Sequence, residues 1–253
     1  MIELKDAVVE LGGKEIIKQT STRISGKTVL LGPNGSGKTT LLRAMAGVIP
    51  YRGSIMINGI EVKRARNVNA ISTNLPEAFV LGLTMEDVIY LYEEIKQLDG
   101  EKAREMLREV GITDLKKKVY ELSAGQGVLF RTIIALSSEP EVILLDEPFE
   151  NVDAAKRYKV ANWIKEFGKE GVIVTHELDI AKTFKSYDSL IILEGRLHGL
   201  VNLGELLDST IEEGEVPGAI LYMNVGGRKF SLIKQGKGKK FEDLILLDRI
   251  YNI

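Results

Sequence analysis

The chain contains no cysteine in 253 residues. That excludes a disulfide framework, a thiolate nucleophile and any cysteine-ligated metal. Histidine is almost as scarce: only His176 and His198 occur, too few for a histidine-built metal centre. Aromatic residues make up 6% of the chain, and no Phe, Tyr or Trp precedes Tyr51. A charge excess of one sign is also missing. With 34 Lys and Arg against 36 Asp and Glu, the formal net charge is -2, so there is no electrostatic case for nucleic acid or for an anionic membrane surface as partner. The apolar runs, such as 142–145, fall far short of the roughly 20 residues needed to span a bilayer. The start, "MIELKDAVVELGGKE", carries charge from its third residue and has no apolar core of signal-peptide length. These absences lead us to expect a cytoplasmic protein that would work at a membrane only through another subunit.

What is present suits a soluble globular protein of one large domain with a small addition: 44% hydrophobic and 28% charged residues. "MIELKDAVVEL" alternates as a strand does, and "KTVLLG" reads as a short buried strand feeding a glycine-rich loop. "TTLLRAMAGVI" has helical spacing, and "GSIMINGIEV" predicts a hairpin turning at Asn58-Gly59. From Thr84 to about Leu136 the pattern is helical, with Thr84 as N-cap, Asp87 completing a near capping box, and a stop at Gly111. "EVILLDEP" and "GVIVTH" read as buried parallel strands separated by the helix of "DAAKRYKVANWIKEFGKEG". The plan is α/β with a helical insertion. After about Leu200 the character changes. "AILYMNV" and "RKFSLIK" flank Gly226-Gly227 as a hairpin, followed by the lysine-rich "KQGKGKK", read as a solvated tip, and an apolar ending "LILLDRIYNI".

The chemistry concentrates in a few short stretches. "GPNGSGKTT" (Gly32, Pro33, Asn34, Gly35, Ser36, Gly37, Lys38, Thr39, Thr40) fits the phosphate-binding loop Gly-x4-Gly-Lys-Thr between a strand and a helix. Glycines there let successive backbone N–H groups turn toward a β-phosphate at a helix N-terminus. Lys38 is placed to bridge β- and γ-phosphates, and Thr39 to give its hydroxyl to Mg²⁺. In "VILLDEP" a run of apolar residues puts Asp146 at the C-terminal end of a buried strand, a second Mg²⁺ ligand, with Glu147 next to it where an attacking water would stand.

"LSAGQ", Leu122 to Gln126, resembles the LSGGQ signature of the ATP-binding cassette (ABC) family, with Ala124 replacing the first glycine. "ENVD" stands where that family has its D-loop, with Asp153 as the aspartate, and "VTHE" places His176 like the family's switch histidine. The resemblance covers about residues 1–200. It implies a P-loop NTPase fold of the ABC ATPase type: a mostly parallel core sheet, an N-terminal antiparallel β-subdomain, and a helical subdomain at about 76–136. Residues 201–253 would form a small α+β appendage. It further implies ATP and Mg²⁺ as cofactors and a head-to-tail dimer with a second ATPase protomer, like or unlike. In that dimer Ser123, Gly125 and Gln126 of one chain reach the γ-phosphate held by the other. Glu147 would be general base, with His176 and Lys38 steadying the phosphates.

The sequence departs from the family in two places. The aromatic that usually stacks on adenine is absent, leaving Leu11 as an apolar substitute; modest ATP affinity and loose discrimination against GTP are expected. "NLPEAF" puts Glu77 where the Q-loop glutamine normally touches Mg²⁺, and a carboxylate can serve as that ligand. The resemblance implies the ATP-hydrolysing subunit of a transporter, peripheral on the cytoplasmic membrane face through an integral membrane partner. "LPE" followed by "LTMEDVIYLYEE" leans toward exporters, with energy-coupling importers of metals or vitamins second. A soluble ABC ATPase of the iron–sulfur scaffold type is the alternative from another class.

Overall fold

The computed structural model describes residues 1–65, 70–79 and 83–244. Of the apolar ending "LILLDRIYNI", all but Leu244 lies outside the described residues. β1 (Ile2–Leu11) and β2 (Lys14–Ile24) form an antiparallel hairpin. β3 (Lys27–Leu31), buried along most of its length, runs into the glycine loop and α1 (Lys38–Met45). β4 (Arg52–Ile57) and β5 (Ile60–Glu61) turn at Asn58 (φ 51°) and Gly59 (φ 79°), the paired positive angles of the turn that matches strand twist.

After β6 (Ile71–Thr73) come three helices, α2 (Met85–Lys96), α3 (Gly100–Glu109) and α4 (Ala124–Ser137). The expected cap of α2 is a full capping box: Asp87 N–H donates to Thr84 Oγ1 at 3.1 Å, and Thr84 N–H to Asp87 Oδ2 at 3.0 Å. The Thr84 hydroxyl, which donates to Asp87 Oδ2 at 2.6 Å, and then the Thr84 N–H hold the Asp87 carboxyl below the usual range. α3 starts on Asp99, whose carboxylate accepts from Lys102 N–H at 3.0 Å, and the chain leaves it through Gly111 at φ 76°. Then follow β7 (Val142–Asp146), α5 (Ala154–Glu166), β8 (Glu170–Thr175), α6 (Leu178–Ala181), β9 (Asp188–Leu193) and β10 (Arg196–Asn202). α7 (Leu203–Leu207), β11 (Thr210–Glu213), β12 (Leu221–Val225), β13 (Arg228–Ile233) and β14 (Lys239–Lys240) complete the described chain.

The chain divides into two compact units, Met1–Arg64 with Val172–Ile253, and Ala65–Gly171. In the first, β2-β1-β4-β5 is an antiparallel sheet; β3 pairs parallel with β9, and β9 antiparallel with β10. A third, antiparallel sheet β12-β13-β11-β14 contains the hairpin expected at Gly226-Gly227. α1 packs on β1 and β2, and its Leu41, Leu42 and Met45 are buried.

In the second unit β6 and β7 pair in parallel, Ile71 with Val142 through Thr73 with Leu144. α4 packs against both strands and against α2, α3 and α5. Surrounded in this way, it is buried along nearly its whole length from Gly127 to Ser137, which explains why its sequence "GVLFRTIIAL" shows almost no polar face. Phe130 at its centre is 0% exposed, and truncating it to alanine would cost about 3–5 kcal/mol. Arg104 of α3 joins Glu86 and Glu93 of α2 at 2.6 and 3.3 Å, which fixes the geometry of the two helices more than it stabilises them, because the carboxylates are partly solvated.

Candidate functional site

Within the first unit the loop after β3 is shaped by close approach. A Cβ on Gly32 would lie 2.6 Å from Ile192 O and 2.7 Å from Ser36 Oγ, so no larger residue fits. Gly37 takes φ 109° as the N-cap of α1, and no side chain caps that helix. With its backbone N–H groups and the partial positive charge of the helix behind, such an end suits an anion. Lys38 is 6% exposed, and its Nζ donates to Gly32 O at 2.8 Å and Pro33 O at 3.1 Å. The loop's own carbonyls thus hold the ammonium against the loop rather than letting it wander in solvent. Ser36 N–H bonds Pro33 O at 3.3 Å, while Ser36 Oγ is buried and finds no hydrogen-bond partner among the described residues. A buried hydroxyl in that condition costs about 1–3 kcal/mol, a cost a phosphate oxygen could remove. Asn34 and Gly35 are exposed at the tip; Thr39 and Thr40 are half-buried in the first turn.

Two further candidates lie in the first unit. Leu11 ends β1 and is 41% exposed, available as a flat apolar contact and lacking an aromatic face. His176 follows β8 directly and is half-buried. Glu177 N–H donates to Thr175 Oγ1 at 3.2 Å, which turns the chain just past the histidine.

The second unit carries the carboxylates and the signature. Asp146 ends β7, and Glu147 follows with φ 41°, a left-handed angle that costs a non-glycine residue about 1–3 kcal/mol and clusters at functional positions. Glu150 N–H closes the turn on Glu147 O at 3.1 Å. Ser123 is the N-cap of α4 in a reciprocal box: Gln126 N–H donates to Ser123 Oγ at 3.3 Å, and Ser123 N–H to Gln126 Oε1 at 3.2 Å. Gly125 sits where a Cβ would lie 2.2 Å from Asn151 O. The Asn151 backbone thus packs on Gly125, whereas Ala124 is exposed, so a Cβ fits at position 124 and not at 125. Asp153 caps α5 through Lys156 N–H at 3.1 Å and pairs with Lys156 Nζ at 2.9 Å; Lys156 holds its carboxyl below the usual range.

Glu77 lies exposed in the short turn Pro76–Ala78. Tyr92 holds that turn: its hydroxyl donates to Ala78 O at 2.6 Å and its ring stacks on Phe79 at 5.5 Å. Burial pulls the Arg131 guanidinium of α4 below its usual value, and the Glu77 carboxylate opposes that shift.

One residue with a direct hold on this region escaped the sequence reading. Asn74, 3% exposed, accepts Asp146 N–H on Oδ1 at 2.7 Å and donates from Nδ2 to Asp146 O at 3.0 Å. The available signal was the first letter of "NLPEAF": a buried amide needs partners.

A family model for ABC transporters matches residues 20–150. The hemin import ATP-binding protein HmuV of Rhizobium johnstonii is 31% identical over 231 residues, 82% of this chain and 87% of that one. The taurine import ATP-binding protein TauB of Escherichia coli O157:H7 is 30% identical over 198 residues, 72% and 75% of the two chains. Among solved structures, a candidate cobalt transport ATP-binding protein (cbiO-2) is 47% identical with a TM-score of 0.95, covering 100% of both chains. A dimeric cassette bound to ADP and Pi is 22% identical with a TM-score of 0.65, over 80% of this chain and 99% of its own, a likeness of fold.

Proposed function

Because the chain belongs to the ABC transporter family as an ATP-binding, ATP-hydrolysing subunit, we propose that it powers an importer of the energy-coupling kind. Its cargo would be a transition-metal ion of the cobalt class. The observation that carries this reading is the 47% identity, over the full length of both chains, to the candidate cobalt transport ATP-binding protein. The import systems named for taurine and hemin support the same direction. The leaning toward exporters drawn from "LPE" finds no support in those names, and the importer that stood second takes its place. No helix among the described residues is long and apolar enough to cross a membrane, so the permeation path would belong to an integral membrane partner, with this chain peripheral on the cytoplasmic face.

In this reading residues 1–200 form the cassette and 201–253 the appendage. ATP lies between the Lys38 loop of one protomer and Ser123, Gly125 and Gln126 of a second. The shaped loop, the buried Ser36 hydroxyl and the held Lys38 ammonium fit a triphosphate. Thr39, Asp146 and Glu77 supply hydroxyl and carboxylate oxygens, the donor chemistry of Mg²⁺. Among the described residues no group of three or more His, Cys, Asp or Glu could hold a metal alone, so phosphate oxygens and water complete such a site. Bound there, Mg²⁺ would neutralise charge developing on the phosphates. Glu147 accepts the proton of the attacking water, His176 donates toward the γ-phosphate, and Asp153 sits at the protomer boundary. Catalysis is positioning and electrostatics.

The test is affinity purification of Glu147→Gln in detergent with ATP and Mg²⁺. A stable ATP-bound dimer bringing with it a multispan protein is expected, together with loss of cobalt-ion uptake in cells carrying this variant alone. Wild-type hydrolysis by Glu147→Gln would overturn the catalytic assignment. Recovery of soluble partners alone would overturn the transporter reading in favour of an assembly ATPase.

A further inference from the structure

β6 stops hydrogen-bonding as a strand at Thr73, whose partner is Leu144. One step later the side chain of Asn74 takes over. Its amide closes a ring with the N–H and the C=O of a single residue, Asp146, at 2.7 and 3.0 Å. A carboxamide has the same donor and acceptor geometry as a peptide group, so Asn74 lengthens the β6–β7 ladder by a rung that the backbone does not make. The same Nδ2 donates to Thr132 Oγ1 of α4 at 3.2 Å, and Arg131 Nε of α4 donates to Asn74 O at 3.0 Å. Asn74 is 3% exposed and Thr132 0% exposed, so water does not compete for these bonds. Two consecutive residues of the helix capped by Ser123 are thereby tied to Asn74, Thr132 through the side-chain amide and Arg131 through the main-chain carbonyl, and Asn74 in turn holds the residue that precedes Glu147.

We propose that Asn74 is a positioning residue for hydrolysis: with Thr132 and Arg131 it fixes the end of β7 so that Asp146 and Glu147 are presented in register with the signature helix. The chemistry favours this over a merely structural role. Glu147 adopts a left-handed angle that relaxes unless its neighbours hold it, and the Asn74 ring grips both the N–H and the C=O of Asp146 immediately before it. A helix shift at α4 changes the Asn74–Thr132 bond first and the Asp146–Glu147 peptide next. The relay therefore carries the state of the signature helix to the general base. This inference rests on the reading of Glu147 as that base.

The experiment measures steady-state ATP hydrolysis and the affinity for a fluorescent ATP analogue in the full chain. Asn74→Asp keeps the acceptor for Asp146 N–H and loses both donated bonds; Asn74→Leu loses all of them. Both are expected to lower kcat about 10- to 100-fold, the scale of a misplaced catalytic group, while analogue affinity stays within about twofold. Thr132→Val should lower kcat to a lesser extent, and Thr132→Ser, which keeps the hydroxyl, should restore the wild-type rate. A folded Asn74→Asp with unchanged kcat would overturn the proposal, as would an affinity loss equal to the loss in kcat. If the Asn74 variants do not fold, the Thr132 pair decides, and equal rates in Val and Ser overturn it. Glu147→Gln run alongside separates the two readings. Should it hydrolyse normally, the assignment of the base fails; should it be inactive while the Asn74 variants are fully active, the relay alone fails.

Discussion

Two helices of this protein begin at places where the sequence motifs put phosphate, and they begin in opposite ways. α1 starts on Gly37, with no side-chain cap and a backbone angle of 109°. α4 starts on Ser123 inside a closed capping box with Gln126. The first end has a glycine N-cap, which offers no side chain, and in the loop before it a Cβ would clash at Gly32 and at Gly37. The second is already satisfied by its own residues, so a phosphate there must share or displace the Gln126–Ser123 bonds. On the proposed reading, the difference means that the glycine-started end would gain more from a phosphate than the self-capped one. An open end binds with its full charge, while a self-capped end gains only the surplus over its internal bonds.

The sharpest break in that comparison is Lys38→Ala. Removing the ammonium from the open end should weaken binding of a fluorescent ATP analogue by about 10- to 100-fold, the worth of a charge-assisted hydrogen bond, measured by titration. Gly37→Ala comes next: the left-handed angle would strain any Cβ by roughly 1–2 kcal/mol, and Ile17 Cδ1 would lie 2.7 Å from it. Thermal melts with and without ATP should show both a lower midpoint and a smaller nucleotide-dependent rise. The smallest effect, and the most discriminating, belongs to the self-capped end. Ser123→Ala should cost about 1 kcal/mol of stability by removing the cap while leaving analogue affinity of the isolated chain unchanged. Ser123→Asp restores a good cap but places negative charge where the partner's nucleotide would arrive. Its melting temperature should match wild type while hydrolysis is lost, and normal hydrolysis would show that this end meets no phosphate.

Much of this was legible in the sequence because it depends on local rules. The loop from Gly32 to Thr40, the Thr84–Asp87 box, the turn at Asn58-Gly59 and the hairpin at Gly226-Gly227 are each specified by neighbours within a few residues. The long strand β2 was missed since "KEIIKQTSTRI" breaks alternation: Ile16 and Ile17 are adjacent, and its register against β1 shifts more than once. Asn74 was missed for a different reason. Its partners, Thr132 and Asp146, lie 58 and 72 positions away, and no spacing rule connects an amide to a distant strand end. The near absence of a polar face on α4 follows from the packing of α2, α3, α5, β6 and β7 around it, which no local rule reveals.

The lysines of "KQGKGKK" also gain a place. Lys239 and Lys240 form β14, the outer strand of the sheet β12-β13-β11-β14 as described, paired to Thr210 and Ile211 and exposed. An unpaired sheet edge is a template on which other chains can add strands, and a very short edge carrying positive charge is a poor one. The run read as a solvated tip thus also closes one edge of this sheet with a two-residue, lysine-bearing strand, a shape that disfavours strand addition by other chains.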